Sequence, residues 1–242
     1  MSVAEIQNVT KKYQMGEHAI FALENVSLSL GGGQLVCVLG PSGSGKTTLL
    51  NVLGGIDDVT TGSILVSGVD ITKLSRKKLA GFRRSNVGFI FQFFNLLPIY
   101  NAFENVEYAV ELSLSRDKKM THEQIRAKAL HYLKAVGLEY KRHYFPSQLS
   151  GGEQQKVAVA RAMAKEPRLL LADEPTGELS VNEGKMVLKV IQQLSRQSDV
   201  LVVLVTHNQE ISKMGNMVVR LRSGEVDNII EQTPVEAETL EW

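Results

Sequence analysis

The sequence predicts an α/β chain built on a mostly parallel sheet, and three observations carry that prediction. Apolar strand-like runs alternate with helical stretches along the second half of the chain, a glycine-rich loop joins a short apolar strand to a helix, and another apolar strand ends in two adjacent acids. Strands that alternate with helices lie parallel and are covered on both faces, and ligands of such sheets gather beyond the carboxyl ends of the strands.

The opening third is strand-rich. β-branched or apolar runs at 3–9, 21–30 and 35–39 are separated by glycine and polar turns that include Gly31, Gly32 and Gly33. The glycine loop at 40–45 leads into a helix expected at about 46–53. From Thr121 onward Ile125, Ala129, Tyr132, Leu133 and Val136 fall at helical spacing, and Gly137 offers a stop. A helix opening at Ser150, a buried-type strand at 168–172, a helix at about 181–195 and a strand at 200–205 follow. The segment 227–242 holds five acids (Asp227, Glu231, Glu236, Glu238, Glu241) and no Lys or Arg, and is expected to form a mobile tail.

Composition narrows the function classes. At about 150 residues per domain, 242 residues make roughly 1.6 domains, so one large domain or a core with an appendage. The 43% hydrophobic and 22% charged residues are those of an ordinary globular chain. Lys and Arg number 27 against 26 Asp and Glu, a net charge of +1, which leaves no basic field to hold nucleic acid through counterion release. The single cysteine, Cys37, has no internal disulfide partner and reads as a core residue; no secretory leader is visible, and the chain reads as cytoplasmic. The longest aliphatic run, 200–205, is six residues, far short of the roughly 20 that a bilayer-crossing helix needs. Contact with a membrane is therefore expected only through a partner.

Three motifs carry chemistry. Gly40, Pro41, Ser42, Gly43, Ser44, Gly45, Lys46 and Thr47 spell G-x-x-x-x-G-K-T between a strand and a helix, with Thr48 next. Glycines let successive N–H groups converge, the helix start adds partial positive charge, Lys46 adds a full one, and the Thr47 hydroxyl is suited to Mg2+, so the loop predicts a bound polyphosphate. The strand Leu169-Leu170-Leu171-Ala172 delivers Asp173 and Glu174 at its carboxyl end, Asp173 for a magnesium ion and Glu174 to polarise an attacking water. Ser150, Gly151, Gly152 and Glu153 open a second helix with glycines, Ser150 serving as N-cap or phosphate ligand. A chain whose first loop already surrounds its own nucleotide would use this second turn on another, which suggests two chains that complete each other's sites.

In this order the three motifs resemble the ATP-binding subunit of ATP-binding cassette (ABC) transporters, and the likeness covers about residues 3–226. It implies a P-loop NTPase fold of the ABC ATPase kind: a mostly parallel core, an N-terminal antiparallel β subdomain and a helical subdomain at about 93–165, followed by the acidic tail. It implies ATP and Mg2+ as cofactors and ATP hydrolysis as the reaction. In that pattern the run at Ser150 is the signature sequence, Gln92 contacts magnesium and the membrane partner, His207 sits near the γ-phosphate, and Tyr13 stacks on adenine. ATP drives two subunits into a head-to-tail dimer, hydrolysis reopens it, and a transmembrane permease subunit is moved, which implies a place at the inner face of the cell membrane. The run from Phe91 through Pro98 and the run Asp173-Glu174-Pro175-Thr176-Gly177 resemble the group of macrolide exporters, lipoprotein-releasing machines and a cell-division pair.

Two positions depart from the pattern: Ser180 stands where an aspartate is usual, and Lys156 where arginine is common. Five of the eight phenylalanines lie between Phe89 and Phe103, a density that predicts core packing for part of them, and the resemblance implies that the rest form a groove for a short helix of the membrane subunit. Arg76, Lys77, Lys78, Arg83 and Arg84 read as a solvated helix face, with anionic lipid heads as the other reading. The competing functions are a soluble ABC ATPase without transport, whose usual coiled-coil insertions or second cassette do not fit 242 residues, and a nucleotide kinase, which leaves the Ser150 turn unexplained.

Overall fold

The computed structural model describes residues 2–16, 18–114, 119–197 and 199–241. In chain order the elements are strands β1 (Ser2–Met15), β2 (His18–Gly31) and β3 (Leu35–Leu39), helix α1 (Lys46–Leu53), strands β4 (Thr61–Val66) and β5 (Val69–Asp70), helix α2 (Arg76–Asn86), strand β6 (Val87–Ile90), helices α3 (Ala102–Ser113), α4 (His122–Ala135) and α5 (Gly151–Met163), strand β7 (Leu169–Asp173), helix α6 (Val181–Gln197), strand β8 (Leu201–Thr206), helix α7 (Gln209–Ser212), and strands β9 (Met217–Arg222) and β10 (Glu225–Glu231). An antiparallel sheet runs β2-β1-β4-β5, and a second sheet runs β10-β9-β3-β8-β7-β6. The second is parallel from β9 to β6, with β10 added antiparallel at one edge. Among the described residues no helix is long and apolar enough to cross a membrane.

The alternation of side chains along a strand divides the parallel strands between two cores. Val36 and Val38, Leu169 and Leu171, and Leu201, Val203 and Val205 face α1 and the antiparallel sheet. Cys37, Leu170, Ala172, Val202 and Leu204 face the helical side, where α3, α4, α5 and α6 bury Val106, Ala129, Val157 and Ile191. Both faces are thereby covered, and these strands read as continuous apolar runs. Cys37 lies in that core, and burial pushes its thiol up to about 12, which leaves it inert.

Local signals fix the helix ends. Capping boxes open α3 (Asn101 with Glu104), α4 (Thr121 with Gln124) and α5 (Ser150 with Glu153). Gly137, at φ +73, closes the end of α4 by donating to the Lys134 carbonyl, while Leu138 donates to that of Leu133. The basic cluster rides on α2, where only Leu79 is buried and Arg83 reaches the Gly55 carbonyl.

The acidic end is a correction to the expectation of a mobile tail beyond residue 226. Residue 226 falls inside β10, and the segment after it packs along α6. Ala237 and Leu240 are buried in the helical-side core. Gln192 of α6 clamps the backbone, donating to the Val235 carbonyl at 2.8 Å and accepting from the Ala237 N–H at 3.1 Å. Glu236 and Glu238 pair with Arg196 and Lys189 of the same helix. The acids thus find their cations across the chain, a complement that local charge counting does not see. Leu240→Ala should lower stability by about 2–4 kcal/mol, read as a shifted urea midpoint; a free tail would leave the midpoint in place.

Candidate active site

Four adjacent parallel strands, β3, β8, β7 and β6, release their chains at the same edge of the sheet, and each release carries a residue singled out from sequence. After β3 comes the loop 40–45. Gly45 takes φ +100, and a Cβ there would collide with the Ala22 carbonyl; one at Gly40 would strike the Leu221 carbonyl and the Ser44 hydroxyl. Only glycine lets the loop close this tightly. The helix it opens, α1, has no side-chain cap and no acid in its first turn. Its first N–H groups are left for an anion. The Ser44 hydroxyl is buried without a hydrogen-bond partner, a group whose cost a phosphate oxygen would relieve. Lys46 folds over the loop, its Nζ donating to the carbonyls of Gly40 at 2.9 Å and Pro41 at 2.8 Å. The loop therefore fits a polyphosphate.

At the end of β7, Asp173 accepts a hydrogen bond from the Thr47 hydroxyl at 3.2 Å. Burial pushes the Asp173 carboxyl up, the Thr47 bond opposes this, and the neighbouring Glu174 charge adds to the rise. Two hard oxygen donors, one a desolvated carboxylate, fit Mg2+ with waters and phosphate filling its shell. A bound magnesium ion would neutralise phosphate charge there. Glu174 takes φ +43, a left-handed conformation held by its N–H donating to the Val205 carbonyl at 3.1 Å. Both of its carboxylate oxygens lie 3.1 Å from His207 Nδ1, just past β8. Against an ionised carboxylate Nδ1 carries the hydrogen, so the imidazole orients the acid.

Gln92, past β6, is held by another partner: its amide donates to Glu178 Oε1 at 2.7 Å, and its side chain lies against Gly177. Tyr13 donates to Asp57 Oδ2 at 2.7 Å, and Lys11 Nζ lies 4.8 Å from its ring centroid. Burial, then the Asp57 bond, raises its phenol, while the Thr48 side chain opposes this. Neither Asp57 nor Lys11 was singled out from sequence.

The Ser150 turn is bound up with its own chain. Ser150 Oγ accepts from the Glu153 N–H, and Glu153 accepts from the Ser150 N–H at 3.1 Å and from Lys141 Nζ at 2.6 Å. Glu153, expected among the nucleotide-binding residues, caps α5 and turns its charge toward Lys141. Glu183 was not foreseen at all. Its Oε1 accepts from Ser150 Oγ at 2.9 Å and from the Gly152 N–H at 3.2 Å, and its Oε2 from Ser180 Oγ at 2.9 Å. The one available signal was Ser180-x-x-Glu183, a helix-start pattern. Further along α5, Gln155 Nε2 donates to the Phe91 carbonyl at 3.0 Å and the Pro175 carbonyl at 2.8 Å.

Of the clustered phenylalanines, Phe89 and Phe91 stack with centroids 5.7 Å apart and line a groove of about 460 Å³ with Leu112, Arg84, Arg161 and Lys165. Phe93 and Ile99 are 67% and 75% exposed, while Phe103 is buried in the core.

With this geometry in place, a family model described as ABC transporter matches residues 23–177. The chain belongs to the ABC transporter family. An ABC transporter ATP-binding protein of Methanocaldococcus jannaschii, MJ0796, is 41% identical over 224 residues, 92% of this chain and 94% of that one. A second ABC transporter ATP-binding protein, from Thermotoga maritima, is 41% identical over 237 residues, covering 98% and 99%. In structure, the cassette resembles the dimeric post-hydrolysis form of MJ0796 bound to ADP and Pi, with a TM-score of 0.86 and 38% identity across 96% of this chain and 100% of that one. The chain is an ATP-binding, ATP-hydrolysing subunit of an ABC transporter.

Proposed function

We propose that two copies of the cassette close on ATP, each chain's Ser150 turn sealing the nucleotide held by the other's Gly40 loop, and that this closure moves a transmembrane permease subunit. One observation carries the reading: the chain has two glycine turns at helix starts, and only the first has Asp173, Glu174 and His207 beside it. The polar partners of the second are Glu153, Lys141, Glu183 and Ser180, none of them from the phosphate loop. It completes a site on another chain. Lys46 and the loop N–H groups bind phosphate, Thr47 and Asp173 hold magnesium, Glu174 accepts the proton of the attacking water, His207 orients Glu174, and Tyr13 faces the base.

The groove beside Phe89 and Phe91 supports docking of a membrane subunit. It has an apolar floor and four cations, Lys165 being drawn down to about 8 by burial. Together with the exposed Phe93 and Ile99 it offers a helix-sized surface at the sheet edge that holds the site. The cassette then lies in the cytoplasm against the inner face of the membrane, bound through that subunit, and should follow it into the membrane fraction when the two are coexpressed. In solution, with hydrolysis blocked, ATP should shift the chain from monomer to dimer in sedimentation and ADP should not. Ser150→Arg should keep it monomeric. A monomer at saturating ATP without that substitution overturns the reading.

A further inference from the structure

We propose that Glu183 is an internal stand-in for phosphate: its carboxylate fills the Ser150 turn of the unpaired cassette, and closure on ATP requires the partner's nucleotide to displace it. The inference rests on the paired reading above and concerns what that pairing must overcome.

The turn already holds an anion. Glu183 Oε1 takes the Ser150 hydroxyl hydrogen at 2.9 Å and the Gly152 N–H at 3.2 Å, two donors at the start of α5 that a phosphate oxygen would otherwise use. The second oxygen is held by the Ser180 hydroxyl at 2.9 Å and, more loosely, by the Ser180 N–H at 3.4 Å. These bonds, the Ser180 one foremost, hold the Glu183 carboxyl below its usual range. While this arrangement lasts, Ser150 has no hydrogen to donate to a second anion. A phosphate arriving there would also meet a like charge at contact distance, so the carboxylate has to swing out before the turn can seal a nucleotide.

The arrangement accounts for Ser180. A hydroxyl donates to Glu183, whereas an aspartate at 180 would bring two carboxylates together about 3 Å apart, a distance at which both resist ionisation. Ser180 and Glu183 are therefore a matched pair, and the departure from the usual aspartate is what lets the acid reach the turn. When phosphate leaves after hydrolysis, Glu183 recaps the turn at once, so the open state gives up none of these hydrogen bonds.

The test uses the full chain carrying Glu174→Gln, with ATP titrated at fixed protein concentration and salt and the dimer fraction read by sedimentation velocity. Adding Glu183→Ala should lower the ATP midpoint roughly tenfold, the scale of one lost charge-assisted hydrogen-bond set, and slow dimer dissociation after dilution. Glu183→Gln, which keeps the shape without the charge, should also lower it. Glu183→Asp keeps the charge but is one methylene short of the turn, and should behave like Glu183→Ala. Midpoints that stay or rise in the Ala and Gln variants overturn the proposal, and so does an Asp variant that keeps the parental midpoint, since bulk charge would then be the cause. A Glu174→Gln chain that never dimerises overturns the pairing itself and this proposal with it.

Discussion

Glu174→Gln should abolish ATP turnover while leaving nucleotide binding intact. The amide has the same shape and still faces His207, but it has no basic oxygen to take the proton of the attacking water. Loss of a positioned general base costs about 10²–10⁴ in rate. The placement is what makes the prediction strong: the Glu174 backbone is pinned to the Val205 carbonyl in a left-handed conformation, and the side chain, a quarter exposed, sits within 3.1 Å of one imidazole nitrogen. The acid thus has a fixed position, open to water, at the strand end beside the phosphate loop. Steady-state phosphate release, measured with equilibrium ATP binding on the same sample, checks it; release at the parental rate would remove Glu174 from the role of base.

Lys46→Ala should instead remove nucleotide binding. The Lys46 ammonium lies inside the loop, with the residue only 6% exposed, and donates to two backbone carbonyls. An ammonium held only by neutral acceptors is poised for phosphate. One charge-assisted hydrogen bond is worth about 1.5–3 kcal/mol, which corresponds to roughly 10–150-fold in affinity. The same change leaves the Gly40 and Pro41 carbonyls without their donor, so the loop should also lose order. Equilibrium binding of a fluorescent ATP analogue gives the measure, and affinity within twofold of the parent would exclude Lys46 from the phosphate site.

The parts of the fold that were legible in the sequence are those set by local chemistry. The 46–53 helix, the strand ending in Asp173 and the strand at 200–205 carry their own signals: a glycine stop, an unbroken apolar run, a polar exit. Strands β4, β6, β9 and β10 were not expected. Val87–Ile90 follows a strongly basic helix, and Glu225–Glu231 mixes acids with partly exposed apolar residues on an edge strand, so both draw their identity from pairing rather than composition. The site divides in the same way. Lys46, Thr47, Asp173 and Glu174 announce themselves by spacing. The grip of Glu178 on Gln92 and of Glu183 on Ser150 joins residues 86 and 33 positions apart, which no window along the chain can see.

Helix α5 ties these distant parts into one mechanical member. Thirteen residues long, it spans roughly 20 Å. Ser150 stands at its head, and the Gln155 amide, one turn along, is bolted to the Phe91 carbonyl beside the phenylalanine-lined groove and to the Pro175 carbonyl just past Glu174. A rod fastened at those points cannot pivot for one without dragging the others. A displacement at the groove would therefore reach both the half-site a chain lends and the half-site it keeps.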